Sequence, residues 1–411
     1  MSSNVMDGAA LKPDVERVPV AVILALGLTQ NIGYGTLYYS FSILAPSIAK
    51  DFSWSNEWIF GALSVALLIG GLTAPWTGRG IDRFGAGRML TIGSILAALA
   101  LTACAFSPGK TVFVVALIAV QISSNLVQYG AAFALLVQIR PRTAQRSITY
   151  LTLLAGFAST IFWPITSALN AHMSWQNVYL IYAALNLFLC LPIHAWLSGG
   201  LAQTRKSDTS KTERAVAGSL APAARMTGFL LMVTGFALQS FVNAAVLAHM
   251  VPMLSAIGLG SAGVTVGTLF GPSQVLSRFT NMIFGRDLSQ LTLALISAVL
   301  MPGAVALLTL TAPSLSGALA FAVLFGLGSG LNSIVQGTLT LALFGSDGYG
   351  QRQGQVLAVR LVVSSAAPFA MAFMMENIGV PAALMFTGAL GSISIAAFLG
   401  IGRLEPKSDP L

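Results

Sequence analysis

Long apolar segments separated by short polar loops make up most of this 411-residue chain. Twelve of them, each roughly 20–28 residues long, could cross the ~30 Å core of a bilayer as a helix rising ~1.5 Å per residue. We predict them near residues 18–46, 58–78, 89–107, 111–138, 148–170, 177–199, 226–256, 264–284, 291–311, 315–343, 354–376 and 380–402. The pattern predicts an all-α polytopic membrane protein with twelve transmembrane helices.

Composition supports this class. The chain is 55% hydrophobic and 8% charged, whereas a soluble domain carries about 25% charged residues. The 41 glycines and 17 prolines suit membrane helices. The sequence has no phosphate loop and no nucleophile–base pair in a soluble domain, so we expect no enzyme, no ATP-driven pump, no cofactor and no metal site. We assign the net charge of +8 to loops rather than to nucleic-acid binding.

The basic residues lie unevenly about the predicted membrane. With the N-terminus inside, 17 of the 21 lysines and arginines fall on the cytoplasmic side, and only Lys50 and Lys110 fall on the other. This bias predicts cytoplasmic termini in a bacterial inner membrane. The remaining two, Arg278 and Arg360, lie inside apolar spans.

The two halves of the chain repeat each other. Gly78-Arg79 returns as Gly285-Arg286, and Gln145-Arg146 returns as Gln351-Arg352, at offsets of 207 and 206. Secondary transporters are commonly built from such duplicated bundles around a midplane site. We therefore predict two pseudo-symmetric six-helix bundles, 18–199 and 226–402, joined by a mobile cytoplasmic linker at 200–225, with cytoplasmic tails at 1–17 and 403–411.

A glycine- and charge-rich loop follows the second span. It resembles the G-x-x-x-D-R-x-G-x-x-R signature of the major facilitator superfamily, through Gly78, Asp82, Arg83, Gly85 and Arg88. The resemblance implies the major facilitator fold and a cytoplasmic gating loop that stabilises the outward-facing state. Asp82 would then lie against the positive end of a facing helix. A loop with orienting charges and turn glycines is the simpler alternative.

Three features are similar to the branch of monocarboxylate porters and oxalate:formate antiporters. They are a tyrosine-rich first helix, an arginine in span eight and a second cation in span eleven. This resemblance implies that the cations bind carboxylates.

The two membrane arginines are the main candidates for a substrate site. A cation at the bilayer centre costs roughly 2.5–3.5 kcal/mol on insertion scales, and apart from Glu376 at the outer end of span eleven no Asp or Glu lies within a predicted span. We place Arg278 and Arg360 at one depth, roughly 10 Å inside the cytoplasmic boundary at ~1.5 Å per residue. Two guanidiniums there could bind carboxylate oxygens bidentately. Snorkelling to the headgroups and structural bonds to backbone carbonyls are the alternatives.

Other polar residues are expected around these arginines, on cavity-facing spans. Gln274 precedes Arg278 by one helical turn, and the further candidates are Gln30, Tyr34, Tyr38, Gln128, Tyr129, Gln239, Asn243, Asn332 and Gln336. Each amide could instead join helices, and the tyrosines could be packing residues.

Three residues carry weaker signals. His249 in span seven is the candidate for proton coupling, with a plain packing role as the alternative. Cys104 and Cys190 are small buried hydrophobes or, less simply, thiol ligands for a soft metal or metalloid.

The sequence thus predicts a secondary active transporter of a small organic anion, such as a mono- or dicarboxylate, that works as a monomer in the bilayer. Its coupling partner would be a proton or a counter-anion. An efflux permease for a toxic compound, such as a drug, an oxyanion or an arsenical, is the alternative. A non-transporting sensor would be expected to carry a large soluble domain.

Overall fold

The computed structural model describes residues 18–207, 215–260, 262–285 and 287–404, so the predicted tail at 1–17 lies outside the described residues. The described chain is helical and contains no sheet. The first half contains α1 (Val20–Tyr34), α2 (Ser40–Asp51), α3 (Asn56–Phe84), α4 (Ala86–Ala105), α5 (Lys110–Val127), α6 (Tyr129–Ile139), α7 (Ala144–Ala155), α8 (Ala158–His172), α9 (Trp175–Leu185) and α10 (Leu191–Ser207). The second half contains α11 (Arg225–Leu254), α12 (Ala262–Thr268), α13 (Phe270–Phe284), α14 (Gln290–Thr311), α15 (Leu315–Phe344), α16 (Tyr349–Asn377) and α17 (Val380–Gly402).

The all-α, twelve-span prediction is confirmed. Within the described residues, 11 helical stretches are long and apolar enough to cross a membrane. Span eight is the remaining one, and it is divided at Leu269 into α12 and α13. Pro272 lies beside the division and has no N–H to donate to the carbonyl of Thr268, although α3, α14 and α16 each contain a proline without being divided.

Two helices of the first half are also interrupted at the level where the halves face each other. Span four breaks at Gln128, which is extended (φ −86°, ψ −168°), and Gln30 Nε2 donates to the carbonyl of Val127 at 2.6 Å. Span five breaks after Ala155, and Asn31 Nδ2 donates to the carbonyl of Leu154 at 3.0 Å. Side chains of α1 therefore satisfy carbonyls that lie at both breaks.

Hydrophobic cores fill both ends of each half. We call the end that carries the 78–88 loop the loop end. The first-half core at the loop end also contains Leu341 and Tyr349 of the second half. Cys104 and Cys190 are buried in the other core of the first half.

Close packing of α3 against α16 joins the halves at the loop end. A Cβ on Gly78 would lie 3.0 Å from the Cα of Gly354 and would overlap the carbonyl of Gly350. Helices α6 and α7 also contact α13, α15 and α16, whereas α2 and α8 pack on elements of their own half. The contacts between the halves therefore close the molecule at the loop end.

The linker is bonded to α15 where it is described. Helix α10 continues to Ser207. Further on, Ser219 and Leu220 donate their amides to the carbonyls of Ala342 and Leu343 at 2.9 and 3.2 Å. These bonds satisfy two of the last carbonyls of α15, which have no donor within the helix. The proposed domain limits at 200–225 stay a prediction.

Candidate functional site

Arg278 is positioned by a close approach of α13 to α15. A Cβ on Gly326 would lie 2.7 Å from the carbonyl oxygen of Phe270, and one on Gly330 would lie 2.5 Å from that of Gln274. Small residues four apart let membrane helices approach in this way. Gly326 and Gly330 are not among the site residues that we predicted, although their four-residue spacing is visible in the sequence.

Two successive hydrogen bonds connect these parallel helices. Gln274 Nε2 donates to Ser329 Oγ at 2.8 Å, and one turn later Arg278 Nε donates to Ser333 Oγ at 3.0 Å. Ser329 Oγ in turn donates to Asn243 Oδ1 of α11 at 2.8 Å. Three predicted site residues, Gln274, Arg278 and Asn243, are thereby brought together, through two serines that were not predicted.

The Arg278 guanidinium is buried between the halves, and the residue is only 6% exposed. Its Nη1 has no hydrogen-bond partner among the described residues. Nη1 lies against Gly156, where a Cβ would overlap it. Gly156 lies between the carboxyl end of α7 and the amino end of α8, whose partial charges are of opposite sign, and Tyr129 lies within electrostatic range of the guanidinium. Two helix ends and a phenol are thus its described surroundings.

Arg360 on α16 has a similar anchor and a different environment. Its Nε donates to Ser240 Oγ of α11 at 2.8 Å, and the half-buried guanidinium interacts electrostatically with Tyr34 and Tyr38 of the first half. The rings of Tyr34 and Tyr129 have centroids 4.7 Å apart. This ring pair therefore connects the surroundings of the two arginines.

The two arginine–serine bonds lie at one level of the bundle. Helices α11 and α15 run antiparallel, and two side-chain contacts define their register, Ser329–Asn243 and Thr340–Met232. Interpolation between them places Gln239 opposite Ser333 and Ser240 opposite Asn332. Helix α16 begins at Tyr349, five residues earlier than predicted, so Arg360 lies deeper from its helix start than the sequence indicates.

The remaining candidates divide into engaged and unengaged side chains. Gln30 Nε2 is bonded at the break in span four, while its Oε1 has no partner among the described residues. At Gln336 the backbone carbonyl, not the side chain, accepts a bond from Gln353 Nε2 at 2.9 Å. By contrast, both polar side-chain atoms of Gln239 and Oδ1 of Asn332 have no partner among the described residues. Gln128 is half-buried at the helix break.

His249 stands apart from this layer. Its Nδ1 lies 3.2 Å from the carbonyl oxygen of Ala245, one turn earlier in its own helix. A role in proton coupling stays a prediction.

The loop after α3 contacts the start of α16. Asp82 Oδ1 and Oδ2 accept hydrogen bonds from the amides of Gly350 and Gln351 at 2.8 and 2.7 Å, so the carboxylate lies at the positive end of that helix. Gly85 ends α3 with φ of +91°, a conformation that favours glycine. Arg83 and Arg88 are exposed, and the gating role of the loop stays a prediction.

A family model of the Major Facilitator Superfamily matches residues 26–368. The chain belongs to this superfamily. It is therefore a multi-pass membrane transporter of a small molecule, from a family of transporters rather than enzymes. No curated protein matches the chain significantly.

Solved structures of the superfamily share the fold at low identity. The human organic anion transporter MFSD10 (TETRAN) has a TM-score of 0.68 and 16% identity, over 92% of this chain and 98% of that one. The proton:xylose symporter XylE has a TM-score of 0.71 and 14% identity, over 95% and 97%. The transporter FucP has a TM-score of 0.67 and 13% identity, over 94% and 100%. These matches do not separate branches of the superfamily, so the similarity to monocarboxylate porters stays a prediction.

Proposed function

We propose that this transporter moves a small organic anion, a mono- or dicarboxylate, across the membrane by alternating access. The carrying observation is the buried Nη1 of Arg278, which has no partner among the described residues. The helices α11, α13 and α15 contain no Asp or Glu. A buried charge without a counter-charge is strongly destabilising, and an anionic substrate would supply that charge.

Arg360 and the tyrosines extend this site. Arg360 lies at the level of Arg278 and faces Tyr34 and Tyr38. Guanidinium and phenol groups both donate to oxygen, so a carboxylate between the halves would find donors on each side. The organic anions named for MFSD10 are compatible with this chemistry.

Alternating access would use the closed loop end as its inner gate. The basic-residue bias supports a cytoplasmic location for that end, and closure there is what an outward-facing state requires. Opening inward would require Asp82 to leave the start of α16 and the α3–α16 contact to separate. Coupling would come from a proton, with His249 as its acceptor, or from exchange against a counter-anion.

Transport in proteoliposomes tests the charge pairing. We expect Arg278→Gln and Arg360→Gln each to raise the KM for lactate or succinate, by roughly 10- to 100-fold, since a hydrogen bond to a charged group contributes about 1.5–3 kcal/mol. Arg403→Gln is the matched control, because Arg403 is an exposed arginine beyond α17. Unchanged KM values in both membrane-arginine variants would contradict the proposal.

The tyrosines favour a second candidate function, efflux of a toxic compound such as a drug, an oxyanion or an arsenical. Tyr38 is 49% exposed and its ring lies 5.2 Å from that of Tyr39, which gives an aromatic surface that suits a less polar cargo. An expressing strain would then tolerate higher concentrations of the compound, whereas an importer of nutrients would not change tolerance.

A further inference from the structure

Gln239 is a buried amide without a partner. It is 2% exposed on α11, and neither Nε2 nor Oε1 has a hydrogen-bond partner among the described residues. Its neighbours on the same helix are engaged, because Ser240 accepts from Arg360 and Asn243 accepts from Ser329. Buried amides are almost always bonded, so a side chain with two unpartnered atoms indicates a missing partner.

The position of Gln239 indicates where that partner would bind. Register with α15 places it opposite Ser333, the residue that holds Arg278, and the adjacent Ser240 holds Arg360. Gln239 therefore lies at the same level of the bundle as the anchors of the two arginines. Asn332, 5% exposed and on the same level, leaves its Oδ1 unpartnered as well.

The unpartnered atoms include both donors and acceptors. Arg278 Nη1 and Gln239 Nε2 donate, whereas Gln239 Oε1 and Asn332 Oδ1 accept. An exchange of N and O in the Gln239 amide would leave this balance unchanged, since both of its atoms are unpartnered. A plain carboxylate brings only acceptors and would leave the two amide oxygens unsatisfied. A hydroxyl beside the carboxylate brings one donor, which one of these two amide oxygens can accept.

We infer that Gln239 recognises a hydroxyl group on the transported anion, so that the site selects hydroxycarboxylates over the corresponding plain carboxylates. This inference rests on the proposed function. Gln239 is then a residue that determines specificity, while Arg278 and Arg360 bind the charge. A site built to bond a substrate hydroxyl discriminates strongly against the analogue that lacks it, because its own polar atoms would stay unpaired.

Binding of matched acids to the purified full-length protein tests the inference. The probes are lactate against propionate and malate against succinate, measured by calorimetry on wild type and on Gln239→Met, a replacement of similar length. We expect wild type to bind the hydroxy acid of at least one pair about tenfold more tightly or better. In Gln239→Met this ratio should fall toward one, mainly through weaker binding of the hydroxy acid.

The controls separate the inference from the proposed function. Arg278→Gln should weaken both members of a bound pair, and Arg403→Gln should weaken neither. Arginine-dependent binding with equal wild-type affinities for hydroxy and plain acids would overturn only the role of Gln239. The ratio of the two affinities in the wild type can be measured even if a variant does not fold. An unchanged ratio in Gln239→Met would also overturn the role of Gln239. Failure of all four acids to bind would overturn both.

Discussion

Arg278 and Arg360 have the same anchor in two different regions of the molecule. Each donates its Nε to a serine of a neighbouring helix, at 3.0 and 2.8 Å. Arg278 is buried against Gly156, where α13 and α15 are closely packed, while Arg360 is half-buried on α16 and faces the phenols of Tyr34 and Tyr38.

The difference concerns how each charge can be compensated. Arg360 is half-buried, and its neighbours Tyr34 and Tyr38 carry hydroxyl oxygens. Arg278 keeps a buried Nη1 without a partner among the described residues. Desolvated charges depend much more on a specific partner than exposed ones do. We therefore expect Arg278 to contribute more to anion binding than Arg360.

Exchange of each arginine for lysine should give the largest difference in transport activity between the two sites. Lysine keeps the charge but loses both the planar fork and the Nε bond to serine. We expect Arg278→Lys to lower kcat/KM about 100-fold, and Arg360→Lys about tenfold or less, in proteoliposome uptake of lactate or succinate. Equal losses, or a larger loss in Arg360→Lys, would show that burial does not determine which arginine contributes more to anion binding.

A methyl group at Gly156 should act on Arg278 alone. The backbone at Gly156 is helical (φ −63°, ψ −19°), so alanine is compatible with it, but its Cβ would occupy the position of Nη1. We expect Gly156→Ala to weaken substrate binding about tenfold, because the guanidinium must move, while the free energy of unfolding changes by less than about 1 kcal/mol. Calorimetry and thermal unfolding in detergent measure the two quantities.

Gly303→Ala is the matched control for that variant. A Cβ at Gly303 of α14 would meet nothing within 4 Å, so binding should not change. Binding by Gly156→Ala that equals that of this control would contradict the placement of Nη1 in the anion site.

Hydropathy was sufficient to predict the architecture, because each span must satisfy its own backbone in the membrane. The interruptions depend on tertiary contacts that no local pattern contains. The break at Gln128 is accompanied by Gln30 of α1, which binds the carbonyl of Val127. Pro272 lies beside the division at Leu269, but Pro75, Pro302 and Pro368 lie inside undivided helices, so a proline alone does not predict where a span is divided.

The arginines and amides could be predicted for the same reason that the fold could, since polar groups in apolar spans are conspicuous. Their partners could not, because serines in membrane helices usually bond their own backbone. Ser329 and Ser333 repeat the four-residue spacing of Gln274 and Arg278 and follow Gly326 and Gly330 by three residues each. That shared spacing is the signal that could have identified the α13–α15 contact.

Removal of either serine hydroxyl that anchors an arginine should give the smallest effect of these changes. It tests whether the surroundings of the two arginines differ in polarity. In Ser333→Ala, the buried Nε of Arg278 loses its acceptor, and an unsatisfied buried donor costs about 1–3 kcal/mol. In Ser240→Ala, Arg360 still faces the phenol oxygens of Tyr34 and Tyr38, which can accept in place of the serine, so we expect a loss of less than about 1 kcal/mol. Thermal unfolding in detergent compares the two variants with Ser392→Ala, in which an exposed serine that bonds its own helix is removed. Equal destabilisation by Ser333→Ala and Ser240→Ala would mean that the environments of the two arginines differ less in polarity than their burial indicates.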